Sequence, residues 1–238
     1  HAEWQARAPV GHAADATRRN LAPGDSLVFR DLQVTLVAMD SAATLRLVRG
    51  NMREERRVRG GTAFNWQGHH VAVLAVNSGG GLGAGLVELE VATVASLPAH
   101  IAAATVSGDA TYRLRVPHEI HMITLHHSGS PEPLRPEDDP VSKLRGLQSW
   151  GQSDRNWWDV PYHYLIDLQG RIYEGRDHRY MGETNTRYDP EGHLLISVIG
   201  NYDLQRPNAA QLESITQLMT WAAAHFDVPP ERIYGHGD

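Results

Sequence analysis

The apolar residues of this chain change period partway along, and that change constrains the fold more than any other feature. Between about residues 26 and 94 they recur at every second position. Leu32, Val34 and Leu36 alternate with Gln33 and Thr35, and Leu45 and Leu47 flank Arg46. Val71, Val73 and Ala75 follow. Val87, Leu89 and Val91 then alternate with Glu88, Glu90 and Ala92. Period two with short spacing and Gly-rich turns predicts a small, mostly antiparallel β domain. Past about residue 113 the pattern becomes mixed. Residues 120–125 form an apolar run fit for a buried strand, and 141–150 place Val141, Leu144 and Leu147 at helical spacing. Residues 164–166 and 171–174 read as a hairpin around Leu168-Gln169-Gly170, and 194–199 as a central strand. Residues 209–226 read as an amphipathic helix with Leu212, Ile215, Leu218, Met219 and Ala222 on one face, started at Pro207-Asn208 and stopped by Pro229-Pro230. Strands alternating with helices make this half α/β. The expected organisation is a lead-in over 1–22, a β-rich accessory domain over 23–97, a linker over 98–112 and a second domain over 113–238.

Composition narrows the chemistry. The 238 residues suffice for two domains. Net charge is 22 − 28 = −6 with no dominant basic stretch, which argues against nucleic acid as a partner. No apolar run approaches the roughly 20 residues of a membrane span. The chain has no cysteine and 14 histidines, so any metal site must use His, Asp or Glu. Gly79-Gly80-Gly81-Leu82-Gly83-Ala84 formally fits a dinucleotide-binding turn, but the residues after it alternate like a strand, so a hairpin loop is the better reading. The run from Arg53 to Arg57 reads as a solvated face. His69-His70, beside Trp66, read as a pair on alternating faces of a strand.

Three stretches in the second half carry chemistry. They are Leu125-His126-His127-Ser128 at a strand end, Trp158-Asp159-Val160-Pro161-Tyr162-His163-Tyr164 before another strand, and Tyr234-Gly235-His236-Gly237-Asp238 after the long helix. Strand ends are rigid and suit metal ligands. A catalytic zinc takes three protein ligands and leaves one position open. On spacing alone the signal is weak, since a lone histidine is more often a hydrogen-bonded structural residue.

Five blocks in order carry a resemblance. They are residues 123–128, residues 161–167 (Pro161-Tyr162-His163-Tyr164-Leu165-Ile166-Asp167), residues 170–176, residues 198–203 and residues 234–238. Together they resemble the N-acetylmuramoyl-L-alanine amidase family, which includes peptidoglycan recognition proteins and amidase-type phage lysozymes. The resemblance covers roughly residues 117–238. It implies an α/β amidase domain with a central mixed sheet and flanking helices, preceded here by the small, mostly antiparallel β domain. It implies zinc-dependent hydrolysis of the amide between N-acetylmuramic acid and L-alanine in peptidoglycan. His126 and His236 match the family's zinc ligands. Tyr162 matches its catalytic tyrosine, a hydroxyl aimed at the polarised carbonyl or its oxyanion. His127, Trp158, Glu183 and Thr184 are expected along the substrate cleft.

The sequence also departs from the family. The third zinc ligand, a Cys or Asp several residues past the second histidine, is expected beyond Asp238, although Asp238 itself stays open as a substitute. Ser197 stands nearest the position where some members carry a catalytic glutamate. Thr184 stands where many have a cleft histidine, and Glu183 is the polar group that could replace it. The alternative reading is a non-catalytic peptidoglycan-binding module, and a third is a metal-independent structural protein of the cell envelope. Since peptidoglycan lies outside the cytoplasmic membrane, a secreted, periplasmic or cell-wall-associated location is expected.

Overall fold

A computed structural model describes residues 12–77, 85–99, 101–102, 115–184 and 188–235. The chain divides into two compact units. The first comprises residues 1–116, 152–158 and 184–189, and the second 117–151, 159–183 and 190–238.

The first unit holds two four-stranded antiparallel sheets. One has the order β2-β3-β4-β5, with β2 Ser26–Phe29, β3 Leu32–Met39, β4 Ala42–Arg49 and β5 Met52–Arg59. The other has the order β1-β8-β7-β6, with β1 Thr17–Leu21, β6 Thr62–Trp66, β7 His69–Asn77 and β8 Leu86–Thr93. The alternating apolar set is what brings them together. Leu32, Val34, Leu36, Leu45 and Leu47 from one sheet share a single core with Val71, Val73, Val87, Leu89 and Val91 from the other. The residues read as lead-in contribute β1, which pairs with β8. β5 is an edge strand whose arginines and glutamates are mostly outside, a charged edge that resists pairing with another chain.

Alternation does not tell the whole story of β8. Glu88 and Glu90 are buried along with their apolar neighbours. Glu88 is matched by Arg18 of β1. The segment 152–158, which folds with this unit, also occupies its surface, since Arg155 donates to the Asn77 side chain and Asn156 to the Leu74 carbonyl. His69 and His70 are both buried. The glycine run at 79–84 and most of the linker region lie outside the described residues.

The second unit is a five-stranded mixed sheet of order β11-β10-β12-β9-β13. Its strands are β9 Met122–His127, β10 Tyr164–Ile166, β11 Ile172–Glu174, β12 His193–Val198 and β13 Ile233–Gly235. β10, β12, β9 and β13 run parallel, and β11 closes the edge as an antiparallel hairpin with β10. β12 is central and buried on both faces, which explains an apolar run interrupted only by Ser197 over residues 194–199. Two helices supply the crossovers, α1 (Pro140–Asp154) between β9 and β10 and α2 (Ala209–His225) between β12 and β13. Leu218 and Ala222 of α2 pack with Ile123, Ile166, Leu194 and Ile196 on one face of the sheet. Leu144 and Leu147 of α1 pack with Leu165 and Ile199 on the other. Leu212, expected on the buried face of α2, is 51 % exposed. In that first turn the fully buried side chain is Gln211, which is engaged by the helix cap and by Tyr202.

Candidate functional site

Parallel strands joined by crossovers on opposite faces leave a crevice at their carboxyl ends, where such sheets bind ligands. The polar side chains of this unit gather there. Side chains alternate along β9, so Ile123 and Leu125 join the α2 core while Thr124 and His126 turn to the α1 face. The same alternation sends Leu195 and Ser197 of β12 to the α1 face. Register partners share a face, and Leu165, Ser197 and His126 therefore form one row across β10, β12 and β9.

Tyr162 sits over this row. Its ring centroid lies 5.3 Å from that of His126, which is only 5 % exposed. Its hydroxyl donates to the His127 carbonyl at 3.3 Å. Burial pushes the phenol pKa up to about 12, against the opposing pull of the Ser197 hydroxyl. At neutral pH the group is therefore a proton-bearing donor, which suits it to a developing negative charge.

The loop that presents Tyr162 is held by directional bonds. The Arg176 guanidinium is buried and donates to the carbonyls of Val160 at 2.8 Å, Met181 at 2.7 Å and Asp159 at 3.0 Å, and to the Glu183 carboxylate at 3.3 Å. The buried Asp159 carboxylate accepts from Gln148 of α1 and from the Val160 amide, both at 2.8 Å. His163 accepts from the Leu195 amide at 2.8 Å and meets the Tyr180 carbonyl at 3.0 Å. Burial holds its pKa down at about 3, so the ring is a neutral cross-link. His118 bridges the Gly192 amide and the His178 carbonyl in the same way, with its pKa held at about 4 by burial. Two glycines permit the close approach. A Cβ on Gly175 would lie 2.5 Å from the Tyr162 carbonyl, and one on Gly182 would lie 2.7 Å from the Pro161 carbonyl.

The other expected site residues have diverse surroundings. His127 turns its Nδ1 to the Tyr202 amide at 2.9 Å. Trp158 is 1 % exposed within the first unit, with Arg115 6.0 Å from its ring. Glu183 is buried in its ion pair with Arg176, and Thr184 is buried. His236 and Asp238 lie outside the described residues. The strand leading to them is described: β13 runs parallel to β9 and pairs Gly235 with Leu125, the residues immediately before His236 and His126. Among the described residues, no group of three or more His, Asp or Glu side chains is placed to hold a metal ion. An apolar cavity of about 310 Å³ opens on the α1 face, lined among others by Ser128, Leu134, Leu144, Leu147, Trp150 and Ile199. Arg176 and His163 fall inside the matched blocks and Asp159 two residues before one of them, and the sequence assigns none of the three a role. Their signal was a charge or imidazole amid apolar neighbours, which only burial makes decisive.

The profile of the family described as N-acetylmuramoyl-L-alanine amidase matches residues 116–238, more than half of the chain. The chain belongs to that family. Peptidoglycan-recognition protein SD of Drosophila simulans is 33 % identical over 94 residues, covering 39 % of this chain and 50 % of the relative. The N-acetylmuramoyl-L-alanine amidase of Mus musculus is 26 % identical over 137 residues, covering 54 % of this chain and 25 % of the relative. The chain thus spans about half the length of the recognition proteins it matches, and less of the mouse amidase. Among solved structures, Drosophila PGRP-LB aligns with 24 % identity and a TM-score of 0.45, covering 51 % of this chain and 72 % of that one.

Proposed function

We propose that this chain hydrolyses the amide between N-acetylmuramic acid and L-alanine in peptidoglycan, in a secreted, periplasmic or cell-wall-associated setting. One observation carries the reading. His126 and Tyr162 stand side by side at the end of β9, and parallel β13 advances in register to the residue before His236. The donor set fits zinc: a buried imidazole at a rigid strand end, with a second histidine following in sequence directly after Gly235, the last residue of the neighbouring strand. Zinc held by His126 and His236 would supply Lewis-acid activation of water and of the scissile carbonyl. Tyr162 donates its proton as a hydrogen bond to the carbonyl oxygen as negative charge develops there, turning it from the His127 carbonyl. Arg176, Asp159 and His163 hold the Tyr162 loop, so the donor is placed before substrate arrives. The apolar cavity beside Ser128 and Trp150 offers a seat for the stem peptide.

A second reading, a recognition module without hydrolysis, is favoured by the peptidoglycan-recognition relatives. The two separate on zinc content together with release of L-alanine amino ends from purified peptidoglycan. About one zinc per chain with new amino ends supports the amidase. Binding to walls with neither supports recognition. In the amidase, His126→Ala abolishes hydrolysis with the fold intact. Tyr162→Phe lowers kcat by about 100-fold, the order of loss for one oxyanion donor; kcat within threefold of wild type would remove Tyr162 from the mechanism.

A further inference from the structure

Ser197 is the buried polar group near the site that the reading above leaves without a task. It is 0 % exposed between Leu165 and His126 in the row across the sheet. Its strand neighbours Leu194, Leu195, Ile196 and Val198 are all apolar. Its Oγ makes no hydrogen bond of ordinary geometry among the described residues. An unpaired buried hydroxyl is destabilising, and alanine in its place would avoid the penalty.

The neighbourhood indicates what the hydroxyl is for. Tyr162 Oη reaches the His127 carbonyl, and His127 is the register partner of Val198, the residue after Ser197. Ser197 is the register partner of His126 on the same face of the sheet, and the Tyr162 ring lies 5.3 Å from the His126 ring, so the Ser197 hydroxyl opens onto the face that the phenol covers. The geometry points to Ser197 as a positioning residue for the amidase reaction, its hydroxyl donating to Tyr162 Oη when the phenol turns its own proton to the scissile carbonyl. This rests on the amidase reading. A donor at Oη stabilises the partial negative charge left there and strengthens the phenol's outgoing bond, as chains of hydrogen bonds do.

The test is a double-mutant cycle in the intact protein, using Ser197→Ala, Tyr162→Phe and their combination. Ser197→Ala removes one unpaired hydroxyl and no buried carbon, so folding is expected to be unaffected. It should lower kcat about tenfold, the worth of one hydrogen bond, with KM within twofold. Ser197→Cys, a weaker donor, should fall between Ser197→Ala and wild type. In the Tyr162→Phe background the Ser197→Ala loss should vanish. Wild-type kcat in Ser197→Ala, or the same tenfold loss without the phenol, overturns the assignment. If the wild type hydrolyses nothing, the amidase reading fails by itself. The contact is then judged by the ring Cζ resonance of ¹³C-labelled tyrosine, assigned as the one Tyr162→Phe deletes. A shift in that resonance on Ser197→Ala supports the contact, and an unmoved resonance overturns it.

Discussion

The two faces of the five-stranded sheet are held by different physics. The α2 face is aliphatic, with Ile123, Ile166, Leu194 and Ile196 under Leu218 and Ala222. Such packing is non-directional and scales with area. The α1 face is apolar at Leu165 and Ile199 and polar at Ser197 and His126, so its character changes across the sheet from β10 to β9. Around it Arg176, Asp159 and His163 fix individual carbonyls and amides within about 3 Å. One face supplies stability, and the other uses directional bonds to hold a phenol in one place. Damage to the first should be felt in unfolding alone, and damage to the second in both unfolding and chemistry.

The largest effect is expected from Arg176→Met. It removes the bonds to the Val160, Met181 and Asp159 carbonyls and breaks the ion pair with the buried Glu183 carboxylate. Breaking a buried pair in this way costs about 3–5 kcal/mol. Urea denaturation should show that loss, and hydrolysis by the folded fraction should fall with it because the Tyr162 loop is released. A loss below about 1 kcal/mol would mean that the polar lattice does not hold this face. On the α2 face, Leu218→Ala should cost about 3 kcal/mol through lost burial and a cavity. Measured well below its unfolding temperature, its kcat should equal that of wild type; a tenfold fall in kcat would erase the distinction between the faces.

This asymmetry also governs what was legible in the sequence. The α2 face could be read because aliphatic burial leaves a period. Ile215, Leu218, Met219 and Ala222 fall at helical spacing, and the run at 194–199 marks the central strand. Leu212 shows the limit, since a helix's first turn can bury a polar cap partner in place of the apolar residue beside it. On the α1 face, period reveals nothing about Arg176 or Asp159, because their partners are mainly backbone groups that no residue type announces. His126 and Tyr162 were legible through the matched blocks. That Ser197 shares a row with His126 needed the strand register. In the first unit the alternation located the sandwich core but suggested a solvent face for Glu88 and Glu90, which are buried.

Acid should weaken the polar lattice selectively. His163 and His118 have pKa values of about 3 and about 4 in the fold, against about 6.5 when unfolded. Above pH 6.5 both states are neutral and the contribution is complete. Below it the unfolded chain takes up protons that the folded chain refuses, so stability falls by about 1.4 kcal/mol per pH unit per histidine. At pH 5 that is about 2 kcal/mol each. The carboxylates with lowered pKa, such as Asp167, begin to contribute only nearer pH 4, so urea titrations between pH 6.5 and 5 isolate the histidines. His118→Gln should flatten the slope in this window by about one proton; an unchanged slope would show that the ring titrates freely in the fold.

The smallest effect tests whether the α2 face is free of directional bonds everywhere. At the start of α2 it is not. Asn208 accepts from the Gln211 amide at 3.0 Å, the Gln211 side chain accepts from the Asn208 amide at 3.1 Å, and Asn208 Nδ2 donates to the Leu168 carbonyl at 2.8 Å. The first two bonds form a capping box. Asn208→Ala loses the side-chain cap and the Leu168 bond, and should cost about 1 kcal/mol. Asn208→Asp keeps a cap acceptor and gains from the helix dipole, while losing only the donor to Leu168. If the cap matters most, Asn208→Asp will be close to wild type in thermal unfolding. If the bond to Leu168 matters most, the two variants will be equally damaged, and that bond, together with the one from the Ser214 hydroxyl to the Gly170 carbonyl, will then anchor the hairpin before β11 to α2.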